Sequence, residues 1–211
     1  MQLIEPFGPK IGQCRLPDDV FNTLLDITDH ILLNPEEYTR TGYEYWDGKW
    51  DEQWPCKNQF DIPVELYHLS NVYKYLSGQV IKYIQSAGTH SESIPDDANV
   101  DIFHSWFNSM TKNEDMPAHN HHGLVSGVIY CKVPYTSRDD PRFYREGILQ
   151  IINGSSIMDG LENGYVQLLP EEKTMYLFPS RMFHGVSSYS INAERRSISF
   201  NAYVSSYTYH E

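Results

Sequence analysis

Cysteine is scarce in this sequence: Cys14, Cys56 and Cys131 are odd in number, widely spaced and outside any C-x-x-C pair. That usage gives no disulfide framework and points to a reducing, cytoplasmic setting. Basic residues are also few, 16 Lys and Arg against 28 Asp and Glu, for a formal charge of −12. A surface of that sign repels phosphate backbones and anionic lipid, so a duplex nucleic acid is disfavoured as a partner. No apolar run approaches the length of a membrane span, and "MQLIEPFGPKIG" lacks the basic start and apolar core of a signal peptide. Internal repeats, low-complexity tracts and shifts of composition are missing as well. With 40% hydrophobic side chains over 211 residues, the expectation is one soluble domain spanning 1–211 around a single sizeable core.

What is present divides in two. Helical support is expected mainly over 17–90 and a β core over about 98–208. In "LPDDVFNTLLDITDHILLN", Val20, Phe21, Leu24, Leu25, Thr28, Ile31 and Leu32 recur at three-and-four spacing behind an acidic start, which predicts a helix capped near Pro17 or Asp18. A second stripe, Val72, Tyr73, Leu76, Val80, Tyr83 and Ile84, predicts another helix from about Ser70 to Ala87. Between them "GYEYWDGKWDEQWPCKNQF" reads as loops or short edge strands, with its aromatics a possible substrate-facing surface or a covering over a helix. From residue 98 onward, short β-branched and aromatic segments alternate with Gly, Pro and Asn, the pattern of antiparallel strands in a sandwich or barrel. The polar connection Tyr135 to Glu146 is either a lid or an ordinary hairpin loop.

Chemistry concentrates in "MPAHNHHGLVSGVIY", which packs three histidines into four positions at the entrance to a strand. On an extended strand alternate side chains share a face, so His119 and His121 would point together while Asn120 and His122 point elsewhere. An H-x-H pair supplies two neutral nitrogen ligands to Zn, Fe, Cu or Ni. The best third ligand is His184 in "LFPSRMFHGVSSYS", after an apolar strand and a Pro-Ser turn. The competing reading is a polar loop and a hydrogen-bonded core histidine. In "ERRSISFNAYV", Arg195 and Ser197 lie two apart and can jointly hold a carboxylate on a face shared with Ser199 and Asn201. Arg196, Ile198 and Phe200 take the other face. An Arg195 committed to a surface salt bridge is the alternative.

Together "PAHNHHGLVSGVIYCKVP", "YLFPSRMFHGV" and "ERRSISFN" resemble the 2-oxoglutarate and Fe(II)-dependent oxygenase superfamily, specifically a small group common in marine bacteria and their phages. The resemblance covers about the last 110 residues; the first half matches only through "EPFGPKIGQCRLPDD" and the helix after it. It implies a mainly β fold with supporting helices, a double-stranded β-helix of the jelly-roll, cupin-like kind. It further implies Fe(II) as metal and 2-oxoglutarate and O2 as cosubstrates. Such enzymes release succinate and CO2, form a ferryl oxidant, and hydroxylate a C–H bond of a prime substrate that the resemblance leaves open.

Carried over residue by residue, His119 and His184 become metal ligands. Arg195, eleven positions after His184, becomes the anchor for the distal carboxylate of 2-oxoglutarate, with Ser197 as its hydroxyl partner. Asn108 and Tyr130 match cosubstrate contacts more loosely, with an ordinary core or rim position as the alternative for each. One departure stands out: the position that is Asp or Glu in the superfamily is His121, so the ligand set becomes three neutral imidazoles. That keeps two alternatives open, a three-histidine metal cupin that takes no 2-oxoglutarate and a non-catalytic binding or structural domain on the same scaffold. If the gene is phage-borne, the expected location is the host cytoplasm.

Overall fold

The computed structural model describes residues 1–4, 9–40, 56–87, 94–135, 137–152 and 165–205. The aromatic stretch from Tyr43 to Trp54 lies outside these residues, as do residues 206–208 of the expected β core.

In chain order the elements are β1 (Gln2–Ile4), β2 (Ile11–Arg15), α1 (Asp18–Leu33), β3 (Gln59–Asp61), α2 (Glu65–His68), α3 (Val72–Ala87) and β4 (Val100–Met110). There follow β5 (Met116–His119), β6 (Val125–Lys132), β7 (Leu149–Ile152), β8 (Tyr165–Leu168), β9 (Thr174–Pro179), β10 (Phe183–Val186) and β11 (Arg195–Val204). They form a seven-stranded sheet in the order β1-β2-β9-β6-β11-β4-β3 and a four-stranded sheet in the order β5-β10-β7-β8. Every pairing is antiparallel. The expected mainly β architecture of two facing sheets with helical support is therefore the one the chain adopts.

The large sheet is the middle layer. Its outer face meets α1 and α3: Val20, Phe21, Leu24 and Ile31 of α1 and Leu76, Val80 and Ile84 of α3 bury against Phe107, Ile129, Met175, Leu177, Ile198 and Phe200. These are the positions that the three-and-four spacing marks. Each such aliphatic side chain contributes about 1.5–3 kcal/mol by leaving water. α1 starts after Pro17 with Asp18 and Asp19 in its first turn, favourably placed at the positive end of the helix dipole. A second tether is polar. Arg196, buried on the helix side of β11, donates to Thr28 Oγ1 (2.9 Å) and Asp29 Oδ1 (2.5 Å) of α1 and to Glu194 Oε1 (2.6 Å).

On the inner face Val128, Tyr130, Tyr176 and Phe178 of the large sheet pack against Leu149 and Ile151 of the small one. Strand alternation thus sorts β11 cleanly, with Ile198, Phe200, Ala202 and Val204 in the helical layer and Arg195, Ser197 and Ser199 facing a cavity between the sheets. Gly127 makes this possible, because a Cβ there would stand 2.3 Å from the Phe200 ring. The Tyr135–Glu146 connection joins β6 in the large sheet to β7 in the small one, so it is not a hairpin loop. It carries a 3-10 turn at Pro141–Tyr144 with Phe143 buried. No helix among the described residues is long and apolar enough to cross a membrane.

Candidate active site

The register of the small sheet sets His184 on β10 directly opposite His119, the last residue of β5. Side chains so paired are near neighbours on one face, so two segments far apart in sequence deliver two imidazoles to one point. His121 arrives differently. Strand β5 stops at His119, and His121 belongs to the connection to β6, where its backbone N–H donates to Ser180 O at 2.9 Å. The expected strand register across His119–His121 therefore does not hold, yet the three rings still converge. Their centroids are 4.8 Å (His119–His121), 4.5 Å (His119–His184) and 5.0 Å (His121–His184) apart. One ligand atom from each lies within 4.8 Å of the others. His122 is exposed and takes no part.

Two of the rings have their tautomers fixed. Nδ1 of His119 is 2.7 Å from Pro117 O, and Nδ1 of His184 is 2.9 Å from Met182 O. Carbonyl oxygens only accept, so Nδ1 carries the proton in both rings and Nε2 keeps its lone pair. The third ring, His121, is met edge-on by Trp106 at 5.0 Å, and His104 stacks on Trp106 at 4.5 Å. Burial lowers the basicity of all three histidines. His121 is pushed down to about 3 by burial and then by its histidine neighbours, His184 to about 4 by burial and then by His119, and His119 moves in the same direction. At neutral pH the cluster is uncharged, the form in which imidazole binds metal.

The histidines form one end of a cavity of about 270 Å³; Arg195, Ser197, Asn108, Met110, Leu149 and Val186 line the rest. Arg195 is 1% exposed and has no carboxylate within salt-bridge distance among the described residues. Its Nε donates to Gly147 O (2.9 Å), and its Nη1 to Ser197 Oγ (3.2 Å) and Met110 Sδ (3.5 Å). Nη2 is buried and has no partner. The Tyr130 ring faces the guanidinium at 5.2 Å, and its buried hydroxyl also makes no hydrogen bond. Burial pushes the Tyr130 phenol up, against the pull of Arg195, so it stays a neutral donor. Asn108, 7% exposed, presents an unpartnered Oδ1.

These groups adjoin because Gln59, Asn108, Ser197 and Tyr130 stand on one rung across β3, β4, β11 and β6. Orphaned buried donors carry a full desolvation cost unless a ligand meets them. The arrangement suits an anion with a carboxylate at the Arg195 end and metal-binding oxygens at the histidine end.

All seven residues singled out from the sequence thus lie in one region: His119, His121, His184, Arg195, Ser197 and Asn108 line the cavity, and the Tyr130 ring lies against the Arg195 guanidinium. Asn120, expected to point away, joins the rim. Trp106, Gln59 and Met110 were not anticipated. Trp106 and Met110 sit two positions either side of Asn108 on β4, so period-two alternation was the signal that could have found them.

Residues 104–201, a span containing all seven, match the family described as "Putative 2OG-Fe(II) oxygenase". Among solved structures, the chain resembles a Pseudomonas putida prolyl-4-hydroxylase at 15% identity and a TM-score of 0.58, over 90% of each chain. A prolyl hydroxylase from Trichoplax adhaerens, solved with a hypoxia inducible factor peptide fragment, matches at 14% identity and a TM-score of 0.55, over 90% of this chain and 81% of that one. HygX from Streptomyces hygroscopicus, with nickel and 2-oxoglutarate bound, matches at 10% identity and a TM-score of 0.53, over 94% and 83%. At these identities the likeness is one of fold. No curated protein matches the chain.

Proposed function

We propose, from the match of residues 104–201 to the 2OG-Fe(II) oxygenase family, that this chain is a 2-oxoglutarate- and Fe(II)-dependent dioxygenase that hydroxylates a substrate C–H bond. Its products besides the hydroxylated substrate are succinate and CO2. The observation that carries the reading is Arg195, a buried cation with a free Nη2, in the same cavity as three converging neutral histidines.

The residues fit the groups the family takes. His119, His121 and His184 would hold Fe(II), the first two imidazoles to be fixed being those of His119 and His184, whose Nε2 atoms are already bared. Arg195 Nη2 and the Tyr130 hydroxyl would receive the distal carboxylate of 2-oxoglutarate. Ser197 Oγ accepts from Arg195, which leaves its own O–H free to donate to the same carboxylate. Met110, Leu149 and Val186 keep the carbon chain dry. When bound, Fe(II) with the keto-acid and O2 supplies oxidative decarboxylation and the oxidant for hydroxylation.

With no carboxylate among the three ligands, the site itself lends the metal no negative charge, and the keto-acid becomes its main source of neutralisation. Substrate would enter past Trp106 and Asn120, which line the cavity beside the histidines. The cupin and non-catalytic alternatives leave the buried Arg195 without a purpose and are not favoured. The chain is read as one domain over 1–211. Incubation with Fe(II), ascorbate, 2-oxoglutarate and O2 should release succinate above background from wild type and not from Arg195→Met. Equal release from both would remove Arg195 from the reading, and none from wild type would contradict turnover.

A further inference from the structure

The guanidinium of Arg195 comes from the large sheet, but what aims it comes from the small one. Nε donates to the carbonyl of Gly147, two residues before β7. Gly147 has φ +65, a left-handed conformation, and a Cβ there would stand 3.2 Å from Pro134 Cγ and 3.6 Å from Arg195 Cδ. A glycine is thus needed both for the backbone turn and for the close approach of the arginine. Its N–H donates to Ser188 O (3.2 Å), and Ile148 N and Ser187 exchange further bonds, so Gly147 is stitched to the segment that leaves the His184 strand.

The preceding residue tightens the stitch. Glu146 Oε2 accepts from the Ser190 N–H at 2.7 Å and from the Tyr135 hydroxyl, while Oε1 accepts from Ser190 Oγ at 3.2 Å. One carboxylate therefore lashes the start of the Tyr135–Glu146 connection to its end and both to the 187–190 turn.

We infer that Glu146 and Gly147 are positioning residues that set the distance between the Arg195 anchor and the histidine cluster, and so act as the gauge for keto-acid chain length. This rests on the proposed use of 2-oxoglutarate. Two of the three guanidinium nitrogens are spent on Gly147, Ser197 and Met110, so only Nη2 reaches the ligand, and its position depends on where Gly147 holds Nε. An anchor held at one end by a rigid carbonyl has one reach. Loosening the lash lets the fork drift, which weakens a charge-assisted bond whose strength depends on its geometry.

The test is calorimetric titration of the Mn(II)-loaded protein, without turnover, using 2-oxoglutarate, the one-carbon-shorter oxaloacetate and the one-carbon-longer 2-oxoadipate. Wild type should prefer 2-oxoglutarate. Glu146→Gln and Tyr135→Phe, which keep shape and weaken the lash, should each raise the Kd for 2-oxoglutarate by about tenfold, narrow its lead over the other two acids, and leave the Mn(II) Kd unchanged. Gly147→Ala should do the same more strongly; if it does not fold, the two milder variants decide the matter. Unchanged preference among the three acids in both mild variants would overturn the inference, as would a loss of Mn(II) affinity parallel to the loss of keto-acid affinity. A wild type that binds none of the acids would instead sink the 2-oxoglutarate reading beneath it.

Discussion

Arg195→Met should leave the ligand-free protein nearly as stable as wild type while abolishing its response to 2-oxoglutarate. Burying a cation with no counter-charge costs several kcal/mol. Against that, Arg195 makes two well-formed charge-assisted bonds, to Gly147 O at 2.9 Å and Ser197 Oγ at 3.2 Å. At about 1.5–3 kcal/mol each these return roughly 3–6 kcal/mol. The two sides nearly cancel, and methionine fills much of the same apolar space beside Met110, so the net change should stay within about 2 kcal/mol.

Ligand linkage is another matter. Wild type loaded with Mn(II), with 2-oxoglutarate at roughly a hundred times its Kd, should gain about 2.7 kcal/mol of stability, and the variant nothing. Urea denaturation of both proteins, with and without the keto-acid, reads all four states. A variant that loses more than about 4 kcal/mol without ligand would show that Arg195 is a structural pin. One that keeps the ligand-induced gain would show that the carboxylate binds elsewhere.

Two further outcomes follow from the same geometry. His121→Ala should weaken Fe(II) or Mn(II) binding by roughly two orders of magnitude, whereas His122→Ala, altering an exposed ring outside the cluster, should leave it unchanged by calorimetry; the reverse ranking would move the third ligand by one position. Burial alone would raise the Glu194 carboxyl, but its bonds to Arg196, Lys132 and Ser109 outweigh that and hold it below the usual range. Its stabilising contribution is thus complete above the unfolded carboxyl value of about 4.3 and fades as pH falls through the lower folded one. Urea midpoints from pH 6 to 3 should drop less steeply for Glu194→Gln than for wild type, and parallel curves would rule this linkage out.

Much of this was legible in the sequence because it is written in local periodicity. The stripe from Val20 to Ile31 names the buried face of α1, and alternation along Arg195–Phe200 separates cavity from core. The site was half legible for the same reason. His119 and His184 could be nominated, but their direct pairing depends on the β5–β10 register, which no local pattern encodes. His121 was placed with the right partners through the wrong mechanism: the strand ends before it, and a backbone bond to Ser180 with the edge of Trp106 brings its ring round. Trp106 carries no mark of the site in the sequence, because a large aromatic in an apolar strand is usually packed in the core. Gly147 gave no signal at all, since a loop glycine reveals neither its left-handed φ nor the arginine pressed against it until the two sheets are assembled.

In the proposed enzyme one cavity would hold a metal on His119, His121 and His184 and a 2-oxoglutarate carboxylate on Arg195 together. Anaerobic addition of 2-oxoglutarate to the Fe(II)-loaded protein tests it most directly, because chelation of Fe(II) by a keto-acid produces a visible metal-to-ligand charge-transfer band. The band should appear with 2-oxoglutarate, saturate at one equivalent per chain, and be lost in both His184→Ala and Arg195→Met at the concentrations that saturate wild type. A wild type that binds Fe(II) and shows no band with excess 2-oxoglutarate would contradict it.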